Sequence, residues 1–196
     1  MTAAGWAGLF AALLVATNLL CQGADAQFEL PCGLAIRLGR GRGSRGRCGG
    51  HWRRRGRDRQ TALRAARPPV TIVRPLRGIE AFSRETAISG LELDYPDYVT
   101  IFAVADADDP IVPMVEELIA RYGADRVKLV TGDVPVSANP KLNNCVKGWE
   151  AAQTDWVILA DSNVMMPRDY NQRMLASLGE ETRMVCTTPE VSRPFG

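Results

Sequence analysis

Four aspartates in this chain stand where an acid can do chemistry. Asp106, Asp108 and Asp109 come straight after the apolar run Tyr98–Ala105 (YVTIFAVA), and Asp161 comes straight after Trp156–Ala160 (WVILA). Continuous apolar runs of this kind read as strands buried on both faces. In an open parallel sheet, ligands bind beyond the carboxyl ends of such strands. A carboxylate at that edge can accept hydrogen bonds from a base or ribose, or hold a divalent cation such as Mg2+ or Mn2+ through hard oxygen ligation. Asp109 also has a plainer role, because Pro110 behind it makes it read as the cap of a helix. Receiver domains and dinucleotide-binding domains put acids at strand ends too, so spacing alone leaves the ligand class open. The chain has no GxGxxG and no GxxxxGKS/T, which weakens the dinucleotide and P-loop readings.

The elements that must position these acids alternate in type. Val70–Arg74 is a β-rich run ending at Pro75, and Phe82, Ile88 and Leu91 suggest a modest helix that stops before Pro96. Ile111, Met114, Val115, Leu118, Ile119 and Tyr122 recur at helical spacing until Gly123 ends the element. Val127–Val130 is the next strand. The cap-like pair Asn139-Pro140 then opens a helix with Leu142, Cys145, Val146 and Trp149 on one face. Trp149 reads as core rather than as a platform for a sugar. Pro167 opens a helix through Tyr170, Met174 and Leu178, and Arg183–Thr187 reads as a last strand. Strands alternating with helices of this length predict an α/β fold with a mainly parallel sheet and flanking helices.

The charge is split along the chain. Residues 1–67 hold twelve arginines against three acids, a balance of +9, while residues 68–196 carry −7, within a net +2. That contrast puts a boundary at Pro68-Pro69, with residues 68–196 as the globular domain. Residues 27–67, rich in arginine and glycine, read as a disordered basic linker near anionic headgroups. With Trp52 as the only aromatic from 33 to 67, nucleic-acid binding is not the expected role. The apolar run Trp6–Cys21, within residues 1–26, is a membrane anchor or a signal peptide, since Ala24-Asp25-Ala26 resembles a cleavage site. The arginines that follow it favour an anchor with the domain on the cytoplasmic side. The five cysteines form no CxxC, which argues against a disulfide framework, and Cys145 and Cys186 are expected in the core. Cys32, Cys48 and His51 match no familiar zinc spacing.

Taken in order, TIVRPLRGIE, LELDYPDY, AVADADDPIVP and NPKLNNCVKGWEAAQTDWVILADSNV resemble the ceramide glucosyltransferases and the related bacterial hopanoid-biosynthesis glycosyltransferases, of the family 2/21 type. The resemblance runs from about Pro69 to Pro189. It implies a GT-A, Rossmann-like domain in a membrane protein that moves a sugar from UDP-sugar to a lipid hydroxyl with inversion. It also implies residue roles. Pro75 would line the nucleotide pocket, and Asp106, with Asp108 beside it, would face the uracil and ribose. Lys141 and Asn144 would lie under the diphosphate and donor sugar, with Asp161 on the metal-diphosphate. Many family 2 enzymes have DxD where this chain has Asp161-Ser162-Asn163, so Asn163 offers the metal only a neutral oxygen.

Two family features have no match here. These are the third aspartate, which deprotonates the acceptor, and the downstream Q/RxxRW motif. Asp169 is the only aspartate after Asp161, and it falls inside the Pro167 helix. The reading is therefore a donor-binding half, from a fragment or a disrupted reading frame, with a non-catalytic UDP-sugar-binding protein as the alternative.

Overall fold

The computed structural model describes residues 33–37, 67–177 and 184–187. Its strands are β1 (Gly33–Arg37), β2 (Val70–Leu76), β3 (Tyr98–Val104), β4 (Val127–Thr131), β5 (Trp156–Leu159) and β6 (Met184–Thr187). Its helices are α1 (Ser83–Ser89), α2 (Val112–Tyr122), α3 (Pro140–Ala151) and α4 (Tyr170–Ala176). The six strands form one sheet in the order β4-β3-β2-β5-β1-β6. β2, β3, β4 and β5 pair in parallel, and β1 runs antiparallel between β5 and β6. The expected α/β architecture, a mainly parallel sheet with flanking helices, is what the chain forms.

The apolar strands lie at the centre because they must be covered on both sides. Along β2, Val70 and Ile72 join a cluster with Trp156, Ile158, Tyr170 and Met174, whereas Val73 faces Ile101, Cys145 and Leu159. Phe102 and Val104 of β3 pack with Ile111, Val115 and Leu118 of the α2 segment. Each such side chain contributes roughly 1.5–3 kcal/mol on full burial. α3 crosses β2, β3 and β4 at close range. A Cβ on Gly148 would lie 2.3 Å from Val73 Cγ1, so only glycine permits that approach.

Several expectations are corrected. Gly33–Arg37, assigned to the linker by composition, is a strand in register with β5, Leu34 opposite Leu159 and Arg37 opposite Trp156. β2 does not stop before Pro75 but continues to Leu76, with Pro75 opposite Ala103. The ladder with β5 ends at Val73, so the N–H that proline lacks falls where one side of the strand is open. Cys186 is exposed on β6, the outermost strand, whereas Cys145 is buried as expected. The buried face of α3 carries Asn143, Asn144 and Lys147 beside Leu142 and Cys145, so it is more polar than the apolar spacing implied. The apolar run Trp6–Cys21, the basic residues 38–66, and Cys32, Cys48 and His51 lie outside the described residues. Among the described residues no helix is long and apolar enough to cross a membrane.

Candidate functional site

The chain order β2, β3, β4, β5 against the spatial order β4-β3-β2-β5 reverses at β2. The chain runs from β2 through β3 to β4 on one side and then crosses to β5 on the other side of β2, the arrangement in which an open sheet places a ligand crevice at the carboxyl ends of the two flanking strands, here β2 and β5. Asp161 lies there, two residues past β5. Its Oδ1 is 2.9 Å from Lys141 Nζ, and the aspartate side chain is mostly covered while the lysine is about half exposed. Lys141 is held at the start of α3 by the Asn139 side chain, which accepts from the N–H groups of Lys141 and Leu142, with Pro140 at the first turn. The ion pair therefore joins the opening of a helix to the end of a strand.

Beneath Asp161 lies a residue that the sequence reading missed. Arg74 of β2 is fully buried, and its Nη2 lies 2.9 Å from each of the carbonyl oxygens of Asp161, Ser162 and Val164. Its Nη1 donates to Thr86 O in α1. Burial pushes the guanidinium down to about 10, opposed by Tyr170 and Asp161, so it stays charged at neutral pH. The signal was available in the sequence: strand alternation puts Arg74 on the inward face that holds Val70 and Ile72.

The loop after β3 is built differently. Asp106 and Asp108 are exposed, and Asp106 Oδ1 accepts from Asp108 N at 2.9 Å. Asp109 accepts from Ile111 N at 2.9 Å and, through both oxygens, from Gly78 N at 2.9 and 3.0 Å. It does not cap α2, which starts at Val112. It ties the loop after β2 to the loop after β3, and Gly78 reaches it at φ 64°.

Asn144 is buried, with its Nδ2 on Leu76 O at 3.4 Å and its Oδ1 accepting from Lys147 Nζ at 3.1 Å. Asn143 is engaged with the backbone of Ser137. Pro75 is buried within β2, and Trp149 packs partly buried against the Val73 cluster. Lys147, a second residue the reading missed, also donates to Val104 O at 2.6 Å and to Gly132 O. The edge thus brings Lys141 to Asp161, keeps Asp106 and Asp108 open on the neighbouring loop, and puts Asn144 underneath.

Among the described residues no group of three or more His, Cys, Asp and Glu stands close enough to hold a metal ion. The protein offers Asp161 and, two residues on, the exposed Asn163. Magnesium is commonly held by one or two carboxylates together with substrate phosphates and water. With one carboxylate and one amide oxygen, the protein would leave most of a cation's coordination to a ligand and water.

The model for glycosyl transferase family 21 matches residues 46–196. The chain belongs to this family. It is a family of glycosyltransferases, and the chain is similar to curated members of it. It is 34% identical to the ceramide glucosyltransferase of Komagataella phaffii over 99 residues, 48% of this chain and 19% of that protein. To the ceramide glucosyltransferase of Candida albicans it is 30% identical over 127 residues, 59% of this chain and 23% of that protein. To the one from Pyricularia oryzae it is 28% identical over 143 residues, 65% and 28% respectively. The chain therefore spans between 19% and 28% of the length of these relatives. Among solved structures it is similar to S. aureus TarS, with 15% identity and a TM-score of 0.45, covering 55% of this chain and 31% of that one. It is also similar to the mannosyltransferase PcManGT from Pyrobaculum calidifontis in complex with GDP-Man and Mn2+, with 20% identity and a TM-score of 0.45, covering 56% and 32%.

Proposed function

We propose that the carboxyl edge of β2 to β5 is a UDP-sugar donor site, in a protein that transfers the sugar to a lipid hydroxyl with inversion. The observation that carries the site is the meeting of Lys141 and Asp161 at 2.9 Å beside the crevice where the sheet reverses. Membership of family 21 and similarity to ceramide glucosyltransferases support a glycosyl donor and a lipid acceptor.

In this reading the uridine lies against the loop after β3, where Asp106 accepts from uracil or ribose. The diphosphate lies between Lys141 and the loop after β5. Asp161 and Asn163 would hold Mg2+ or Mn2+ against it, and the cation would offset charge developing on the leaving diphosphate. The acceptor oxygen bonds to the anomeric carbon from the side opposite UDP as the carbon–oxygen bond to the diphosphate breaks. The acceptor proton requires a general base, a role assigned to none of the residues above. The basic stretch that follows Trp6–Cys21 supports placing this chemistry at the cytoplasmic face of a membrane.

Calorimetry with UDP-glucose and UDP-N-acetylglucosamine, with and without Mn2+, tests the site on the whole chain. Donor binding strengthened by Mn2+ is expected in the wild type, and Asp161→Ala should bind equally with or without the cation. Failure of the wild type to bind either donor would sink the proposal.

A further inference from the structure

Lys147 and Arg74 are the two buried cations among the described residues, 6% and 0% exposed, and neither forms an ion pair there. Their partners are backbone carbonyls, plus one side-chain amide. Lys147 donates to Val104 O, the last residue of β3, to Gly132 O, just past β4, and to Asn144 Oδ1. Asn144 in turn reaches Leu76 O, the last residue of β2. Three acceptors around one amine require three N–H donors, which only the ammonium form supplies. Arg74 completes the row by holding the carbonyls past β5. All four parallel strands are thus tied at their carboxyl ends by two fixed positive charges.

Burying a charge is costly, and the carbonyl dipoles, with the longer-range pull of Asp161 on Arg74 and of Asp133 on Lys147, compensate only part of the cost. An aliphatic side chain at either position would have been cheaper packing. Arg74 lies beneath the Asp161 loop on one face of the sheet and Lys147 at the ends of β3 and β4 on the face covered by α3, so the two charges flank the carboxyl edge, where a ligand of opposite sign would complete them. We propose that Arg74 and Lys147 form a cationic floor that selects a diphosphate over an uncharged nucleoside at this edge. This rests on the donor-site reading above and adds to it the residues that set preference for the phosphates. They are positioning residues, acting through the field they create and the strand ends they fix.

The test is the difference in affinity between UDP and uridine. Calorimetry on the whole chain should show that Lys147→Met loses about tenfold in UDP affinity and no more than about twofold in uridine affinity. Lys147→Arg and Arg74→Lys, which keep the charge, should retain most of the preference. A second measurement needs only the wild type. Buried charges are screened far less than exposed ones, so the preference for UDP should persist near ~1 M salt, where the Debye length is about 3 Å. Equal losses for UDP and uridine in Lys147→Met, or a preference that vanishes in salt, would overturn the floor and leave the donor site standing. A wild type that binds uridine and UDP equally would overturn the donor-site reading itself.

Discussion

The loops after β3 and β5 begin alike, each with an aspartate following a buried strand, and the fold treats them in opposite ways. Asp161 is mostly covered, faces Lys141 at 2.9 Å, and stands on a backbone whose carbonyls are held by the buried Arg74. Asp106 is exposed, and its side chain accepts from Asp108 N, two residues on in its own loop. The first loop is therefore pre-organised from below, and the second can adapt to what binds. A diphosphate, with its charge fixed in place, suits the rigid loop. A base and ribose, recognised by a few neutral hydrogen bonds, suit the open one.

Removing the brace should break the comparison most strongly. Arg74→Met takes the donors from four carbonyls at once, those of Thr86, Asp161, Ser162 and Val164. Leaving buried acceptors unsatisfied costs ~1–3 kcal/mol each, so a total loss of about 3 kcal/mol or more is expected in urea unfolding. Hydrogen exchange locates the effect: amides of residues 161–166 should lose protection while those of 106–112 keep theirs. Equal loosening of both loops would show that Arg74 holds the whole sheet and not the Asp161 loop in particular.

The opposite loop has its own tie, and cutting it should cost less. Asp109→Ala removes the acceptor for Gly78 N and Ile111 N. These groups are only partly buried and water can replace the carboxylate, so about 1–2 kcal/mol is expected by the same unfolding measurement. Asp109→Asn, which keeps one acceptor oxygen, should recover part of it. Exchange should rise at Gly78 and Ile111 and stay unchanged past β5. A rise past β5 would mean that the two loops move as one unit.

These differences also show what the sequence made legible. Strands β3 and β5 were plain because they are unbroken apolar runs, and α3 announced itself through Asn139-Pro140. β1 was hidden because GLAIR opens a long stretch in which arginine and glycine dominate the composition, and its partners β5 and β6 lie more than a hundred residues away. Asp161 was legible as an acid at a strand end, whereas Arg74 beneath it was legible only through its alternation with Val70 and Ile72. A basic residue near the end of a β run reads as a solvent-facing terminus until the loop 87 residues later is folded over it. Lys147 was masked in a similar way, since a lysine in an amphipathic helix reads as exposed. Gly148 beside it was the available hint, because glycine in mid-helix marks a close approach that leaves its neighbours little access to water.

The smallest expected effect sharpens the comparison furthest, because it concerns the open loop, where no buried network amplifies a change. Asp106→Ala should weaken UDP binding by about 1 kcal/mol, or roughly fivefold, the loss of a hydrogen bond to a neutral group. The factor should be the same with and without Mn2+, and the same for uridine, if Asp106 faces the nucleoside as proposed. In Asp161→Ala it is the Mn2+ enhancement that disappears. The alanine has a second effect, since Asp106 Oδ1 also accepts from Asp108 N at 2.9 Å and its loss could disorder the loop. Asp106→Asn separates the two effects. Its amide oxygen can still accept from Asp108 N, while the NH2 group that replaces the other oxygen cannot accept from a ribose hydroxyl or a base N–H. Weak nucleoside binding in both variants would place Asp106 on the ligand. Full recovery in the asparagine variant would make it a loop brace, and loss of the Mn2+ enhancement in either would show that the two aspartates have been assigned the wrong way round.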